Sequence, residues 1–138
     1  MPLLRYRTGD LTRILDGPCE CGRPHVRIDW FTGRKDDMIK VRGIGLYPSN
    51  IERIIASHKE ANGNFQILLT GIDDITVKFE VTNGISKDAA AMNALKAKIF
   101  SEIKDFTLLR TNVEALPQGT LPRSEGKAKR VLDQRRML

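Results

Sequence analysis

Aromatic side chains are scarce, at 6% of 138 residues with a single tryptophan, which argues against broad stacking surfaces for bases. Cysteine is scarcer: Cys19 and Cys21 stand one residue apart, too close in sequence to build a disulfide framework. No apolar run approaches the roughly 20 residues that a membrane-spanning helix needs. The opening Met1-Pro2-Leu3-Leu4-Arg5-Tyr6-Arg7 has no signal-peptide core, so a cytoplasmic location and no membrane partner are expected. Internal repeats, low-complexity tracts and glycine-rich phosphate-binding loops are also missing. What is present is charge. Lysine and arginine number 23 against 17 acidic residues, a formal net charge of +6, with a pI near 9.6. That balance favours an anionic partner (nucleotide, coenzyme, nucleic acid or membrane surface) without choosing among them. Hydrophobic residues at 41% suffice for one modest core.

Two regions differ in texture. Residues 1–35 are rich in turn formers: Thr8-Gly9-Asp10, Asp16-Gly17-Pro18 and Cys19-Glu20-Cys21-Gly22-Arg23-Pro24. A hairpin between residues 11–15 and 28–31 is expected there, but the segment is too small to close a core of its own and reads as the edge of a larger domain. Residues 36–138 are regular. A short strand spans 38–42. A helix follows Tyr47-Pro48, with Ser49 and Glu52 spaced as a capping box and Ile51, Ile54, Ile55 and His58 on one face. Asn62-Gly63-Asn64 is expected to end that helix. Strands are expected at 65–69 and 75–82, the second alternating Ile75, Val77, Phe79 and Val81 with Thr76, Lys78, Glu80 and Thr82. Ser86 is the expected cap of a second helix carrying Met92, Leu95, Ile99, Ile103 and Phe106 as its apolar stripe. A last strand at 111–115, a loop rich in proline, glycine and charge at 117–129, and a short helix at 131–136 complete the pattern. The order β-α-β-β-α-β predicts an α+β, ferredoxin-like domain.

Three stretches carry candidate chemistry. They are Arg5-Tyr6-Arg7-Thr8-Gly9-Asp10, then Gly33-Arg34-Lys35-Asp36-Asp37-Met38-Ile39-Lys40-Val41-Arg42-Gly43, then Pro122-Arg123-Ser124-Glu125-Gly126-Lys127-Ala128-Lys129-Arg130. Each alone has a plain explanation: an Asx turn, a solvated edge strand, a basic tail. Together and in this order they resemble the C-terminal part of the acyl-adenylate-forming ligases, in the branch of phenylacetate-CoA ligase and related aryl-CoA ligases. The resemblance spans nearly the whole chain.

It implies a moving lid, residues 36–138, preceded by a β-rich remnant of the large N-terminal domain, residues 1–35. The N-terminal domain of the same enzyme is then the expected partner, and ATP with Mg²⁺, coenzyme A and an aromatic carboxylic acid are the expected ligands. By this resemblance Asp10 binds the ribose, as a carboxylate accepting two hydroxyls can. Arg34 meets the nucleotide through paired guanidinium hydrogen bonds. Asp36 is the hinge. Gly43 and Gly45 let the pantetheine arm pass close to the backbone. Lys127 is the adenylation lysine, acting by charge and without a covalent step, with Lys129 as the neighbouring candidate. Cys19 and Cys21, with His25 nearby, resemble half of a zinc knuckle, so a structural Zn²⁺ completed by ligands elsewhere is a further expectation. His58 reads as a packing residue. Two rival classes follow from the ferredoxin-like plan: an RNA-binding module reading through the 75–82 strand, and a small-ligand regulatory domain.

Overall fold

The computed structural model describes residues 4–72, 74–123 and 129–135. The first region forms two narrow antiparallel ladders. β1 (Asp10–Leu11) pairs with β4 (Gly33–Arg34), and β2 (Ile14–Leu15) pairs with β3 (Arg27–Ile28). The expected hairpin is therefore present, interrupted where Thr12 and Arg13 turn their bonds to Asp29. The Thr12 hydroxyl donates to the Asp29 carbonyl at 2.7 Å and Arg13 Nε donates to its carboxylate at 2.7 Å. That carboxylate is held below the usual aspartate range by the backbone N–H of Trp30 and then by Arg13. Among the described residues none before Ile39 is buried.

A 3₁₀ turn, Lys35–Asp37, leads into a tight hairpin of β5 (Ile39–Val41) and β6 (Ile44–Leu46). Its two loop residues, Arg42 and Gly43, both have positive φ, 50° and 77°. Such a loop matches the twist of paired strands, and glycine fills the second position without strain. Helix α1 (Pro48–Ala56) buries Ile51, Ile54 and Ile55. β7 (Ala61–Leu69) and β8 (Ile75–Val81) form the central antiparallel pair, with a bulge between Ala61 and Phe65. Helix α2 (Ala89–Thr107) buries Leu95, Ile99, Ile103 and Thr107, and supplies the crossover that a parallel neighbour requires. β9 (Asn112–Leu116) runs parallel to β8, and β10 (Val131–Asp133) parallel to β7. The four-stranded sheet therefore has the order β10-β7-β8-β9. α1 contacts β7, α2 contacts β9, and the helices contact each other. Phe65, Ile67, Leu69, Val77, Phe79, Ile99 and Ile103 share one core with the α1 isoleucines. No helix among the described residues is long and apolar enough to cross a membrane.

The chain thus has a mixed α/β architecture with two helices, and several expectations are corrected. The strand at 38–42 pairs with β6, outside the four-stranded sheet, because its two-residue turn joins it to its immediate successor. The place left open is taken by residues 131–133, expected as a helix. The short apolar pair Val131-Leu132 completes the exposed edge of β7, with Ile67 N–H donating to Arg130 O at 2.7 Å and Gln134 N–H to Leu69 O at 2.8 Å. The sheet is mixed, so this strand order is not the ferredoxin-like one. Ser49 does not cap α1. Tyr47 is the N-cap, Pro48 occupies the first turn, where proline loses nothing, and Ser49 Oγ donates to Thr32 O at 2.9 Å. Helix α1 stops at Ala56, so Asn62-Gly63-Asn64 lies within β7. The cap of α2 is Asp88, which accepts from the N–H groups of Ala90 and Ala91 at 2.9 and 3.1 Å. Ser86 instead donates to Asn83 O. Phe106 is half exposed, with Arg53 stacked on its ring at 5.2 Å.

Candidate functional site

The β1–β4 ladder places Asp10 directly opposite Arg34, although 24 positions separate them in sequence. Arg34 Nε lies 3.5 Å from Asp10 Oδ1, and its Nη2 donates to Thr8 O at 3.2 Å. The N–H of Lys35 donates to Gly9 O at 2.8 Å. A Cβ built on Gly9 would stand 3.3 Å from Asp36 Oδ2, so the Asp36 carboxylate covers this turn closely. The first two motifs are therefore one structure: Asp10, Arg34 and Asp36 converge at the edge of the small ladder. Both ends of the Asp10–Arg34 pair reach solvent, with Arg34 46% exposed. An exposed pair at this distance is weakly held, which leaves the guanidinium and carboxylate available to a ligand carrying both an anion and hydroxyls.

Beyond Asp36 lies a hollow of about 520 Å³, bordered by Asp36, Lys40, Glu52, Lys129, Asp133 and Arg135 among others. Arg135 crosses it. Its Nη1 donates to Lys40 O at 2.9 Å and its Nε to Asp133 Oδ1 at 2.8 Å. The side-chain hydrogen bonding between Asp133 and Arg135 pushes the Asp133 carboxyl below its ordinary range and Arg135 above its own. Gly43 sits at the tip of the β5–β6 hairpin, and a Cβ there would meet nothing within 4 Å, so its open side admits another molecule. Gly45 differs. It is paired with Lys40, and a Cβ would fall 2.8 Å from Met38 Sδ, so the Met38 thioether lies over it. The two glycines expected to act alike are thus one open tip and one position covered by a flexible side chain.

Lys127 lies outside the described residues. The chain on either side of residues 124–128 is described, and both arms are anchored. On the outgoing arm, the N–H of Leu121 donates to Glu80 Oε1 at 2.7 Å and Arg123 Nη2 to Glu80 Oε2 at 3.3 Å. On the returning arm, Arg130 stacks on Phe65 at 4.5 Å and lies 3.6 Å from Glu52. Alternation along β8 predicts an exposed Glu80, yet it is fully buried. Burial pushes its pKa up. Hydrogen bonds from the Asn62 side chain and the backbone N–H of Leu121 outweigh that and hold it below the usual range. Period-2 alternation carries no mark of a loop folding over the outer face, so sequence patterning passes over Glu80. The contacts of Arg130 with Phe65 and Glu52 and of Arg135 with Lys40 escape it too, because those partners lie far away in the chain.

Cys19 and Cys21 bring their sulfurs to 2.9 Å beside a turn closed by Gly22 N–H to Cys19 O. The Cys19 contact lowers the pKa of the Cys21 thiol. Among the described residues no three His, Cys, Asp or Glu side chains converge, and His25 does not join the pair. Two thiols supply at most half of a closed tetrahedral zinc site, and no described residue of this chain completes it. His58, expected on the apolar face of the first helix, lies two residues beyond the end of α1, where its Nε2 stands 3.1 Å from Glu102 Oε1 of α2. The expected RNA-reading face has no aromatic platform. On β8, Lys78 pairs with Glu114 at 3.2 Å and Glu80 is buried.

Comparison with known proteins adds an independent line. Residues 43–135 match the family described as AMP-binding enzyme C-terminal domain. The phenylacetate-coenzyme A ligase of Thermus thermophilus is 37% identical over 99% of this chain and 34% of that protein. The chain spans about a third of the length of the curated relatives it matches. Among solved structures, 2-hydroxyisobutyryl-CoA ligase in the postadenylation state, bound to an acyl-AMP, is similar with a TM-score of 0.83 and 28% identity, over 96% of this chain and 29% of that one. The same ligase in the thioesterification state, with acyl-AMP and CoA, gives 0.67 at 26% identity over 98% of this chain and 29% of that one. A domain of a phenylacetate-coenzyme A ligase from Bacteroides vulgatus is 31% identical with a TM-score of 0.67, over 75% of this chain and 97% of that one.

Proposed function

The chain belongs to the AMP-binding enzyme C-terminal domain family, and on that premise we propose that it is the C-terminal part of a phenylacetate-CoA-ligase-type enzyme. The observation that carries this is the similarity, nearly end to end, to about a third of those ligases, with the three motifs in order. The whole enzyme would join an aromatic carboxylic acid to coenzyme A in two steps. The carboxylate attacks the α-phosphate of ATP, giving acyl-AMP and releasing pyrophosphate. The thiol of coenzyme A then attacks the acyl carbon, loses its proton, and AMP leaves. Mg²⁺ would accompany the ATP, and no residue of this chain is assigned to it. A cytoplasmic location, where ATP and coenzyme A are available, belongs to this reading.

The remnant 1–35 and the lid 36–138 divide the work. Asp10 would hold the ribose hydroxyls and Arg34 the nucleotide, and their pairing across β1–β4 supports a shared ligand. Lys127 would offset charge as the carboxylate and α-phosphate react. Rotation about Asp36 would then bring the β5–β6 hairpin to the same centre, with the open side of Gly43 toward the pantetheine arm and Gly45 keeping the hairpin thin beneath Met38. The better fit to one ligase in its postadenylation state, with a TM-score of 0.83, than in its thioesterification state, with 0.67, is in keeping with such a change between states. The N-terminal domain of the same enzyme is the partner this lid closes upon.

The test is split by half-reaction. The 138-residue chain alone should show no ATP–pyrophosphate exchange with phenylacetate, and robust exchange would sink the proposal. In the full-length enzyme, Lys127→Ala should lower adenylation by about 10²–10³-fold, the usual cost of removing a charge-stabilising donor. Thioester formation from supplied acyl-adenylate should be spared, and equal loss in both half-reactions would remove the role given to Lys127.

A further inference from the structure

Glu80 is 0% exposed on a strand whose neighbours Phe79 and Val81 are also buried. Successive strand side chains point to opposite faces, so Glu80 lies on the face away from Phe79. There it meets the outgoing arm after β9, at Leu121 and Arg123. Its carboxylate accepts from Leu121 N–H at 2.7 Å, Asn62 Nδ2 at 2.8 Å and Arg123 Nη2 at 3.3 Å. Asn62 belongs to the bulged start of β7, where Ala61 pairs with Val81, so the knot joins β7, β8 and the outgoing loop. Burying a carboxylate costs several kcal/mol unless its lone pairs are filled. Leu121 is itself buried, so an apolar partner would have sufficed merely to cover the sheet. A charged acceptor with directional bonds fixes where the loop leaves the sheet, beyond keeping water out. The returning arm has its own anchor at Arg130, and the two arms meet over one hollow of about 240 Å³ bordered by Phe65, Leu121, Pro122, Lys129 and Arg130.

We propose that Glu80 is a positioning residue for the lid: it fixes the outgoing arm, and through that arm the place from which the chain presents Lys127 four residues after Arg123. This rests on the reading of Lys127 as the adenylation lysine. Glu80 touches no reacting atom in this scheme. It acts through Leu121 and Arg123, and an ångström-scale misplacement of a charge-stabilising group costs up to about 10²-fold in rate.

The experiment pairs two readouts. Hydrogen exchange on the 138-residue chain should show Leu121 N–H losing about tenfold protection or more in Glu80→Gln, since a net hydrogen bond to a charged group is worth about that or more, while the amides of β7 and β8 hold theirs. In the full-length enzyme the same variant should lower adenylation about tenfold or more and leave thioester formation from supplied acyl-adenylate unchanged. Glu80→Asp, which keeps the charge but shortens the reach, should recover part of the adenylation rate. Exchange rising across β7 and β8, with both half-reactions falling together, would assign Glu80 a merely structural role and overturn the proposal, as would unchanged protection at Leu121. Lys127→Ala, run alongside, separates the two ideas. If it depresses adenylation selectively and Glu80→Gln does not, only the Glu80 inference fails. If Lys127→Ala is not selective, the functional reading itself fails, whatever Leu121 does.

Discussion

Residues 4–34 and residues 39–135 are built on different principles. The first region is held by short ladders and a few exposed polar pairs, and shows Ile14, Val26, Ile28, Trp30 and Phe31 to solvent. The second closes a core in which Ile51, Ile67, Val77, Phe79, Ile99 and Ile103 have no exposure at all. An apolar surface so arranged is half of an interface, whereas a filled core folds for its own sake. In the function proposed above, the 3₁₀ turn at Lys35–Asp37 would separate a surface completed by the N-terminal domain from the lid that closes on it.

The sharpest way to break that contrast is to remove a large side chain on each side of it. Phe79→Ala should cost about 3–5 kcal/mol, the usual penalty for emptying a buried aromatic site. Trp30→Ser, at a position 88% exposed, should stay within about 0.5 kcal/mol. Urea denaturation of the 138-residue chain measures both, and comparable losses would end the distinction. Next in size is the hairpin tip. Gly43→Ala forces a side chain onto φ 77° and should cost about 1–2 kcal/mol while m is unchanged; an unaltered midpoint would show that the tip tolerates any residue.

The smallest effect is acid sensitivity. Glu80 is held below the ordinary glutamate pKa of about 4.3. Its ionised form therefore adds stability that is fully present above that value and lost as pH falls through the lower folded-state value. The urea midpoint of the native chain should fall more steeply below about pH 4.3 than that of Glu80→Gln. Parallel curves for the two would show that the carboxylate contributes nothing through its ionisation.

How much of this was legible in the residues depends on the range of the forces involved. The α2 stripe Leu95, Ile99, Ile103 and the alternation of Ile75, Val77, Phe79 and Val81 are local periodicities, and both formed as expected. So did the strand expected at 38–42, observed as Ile39–Val41, and the hairpin joining residues 11–15 to 28–31. The expected ribose and nucleotide residues, Asp10 and Arg34, fall on one rung, but that pairing depends on the register of two-residue strands and no local rule sets it. Caps at Ser49 and Ser86 were misplaced because proline at 48 and aspartate at 88 compete for the same turns and fit them better. The tail at 131–133 became a strand because an edge of β7 needed hydrogen-bond partners, a demand made by the sheet and invisible in the tail. Glu80 was the largest surprise for the same reason: its surroundings are supplied by residues 41 to 43 positions later.

The bond from Arg135 to the carbonyl of Lys40 joins positions 95 apart. It stitches β10, at the far side of the sheet from β9, to the hairpin that immediately follows the crossover. In mechanical terms it is a brace. Torque delivered at residues 35–37 reaches the sheet by two routes, through the covalent path of α1 and across this guanidinium, and two routes resist shear where one would bend. On the proposed function, the lid would turn as a stiff lever on one short axle, with the compliance for its swing concentrated in the three residues of the 3₁₀ turn.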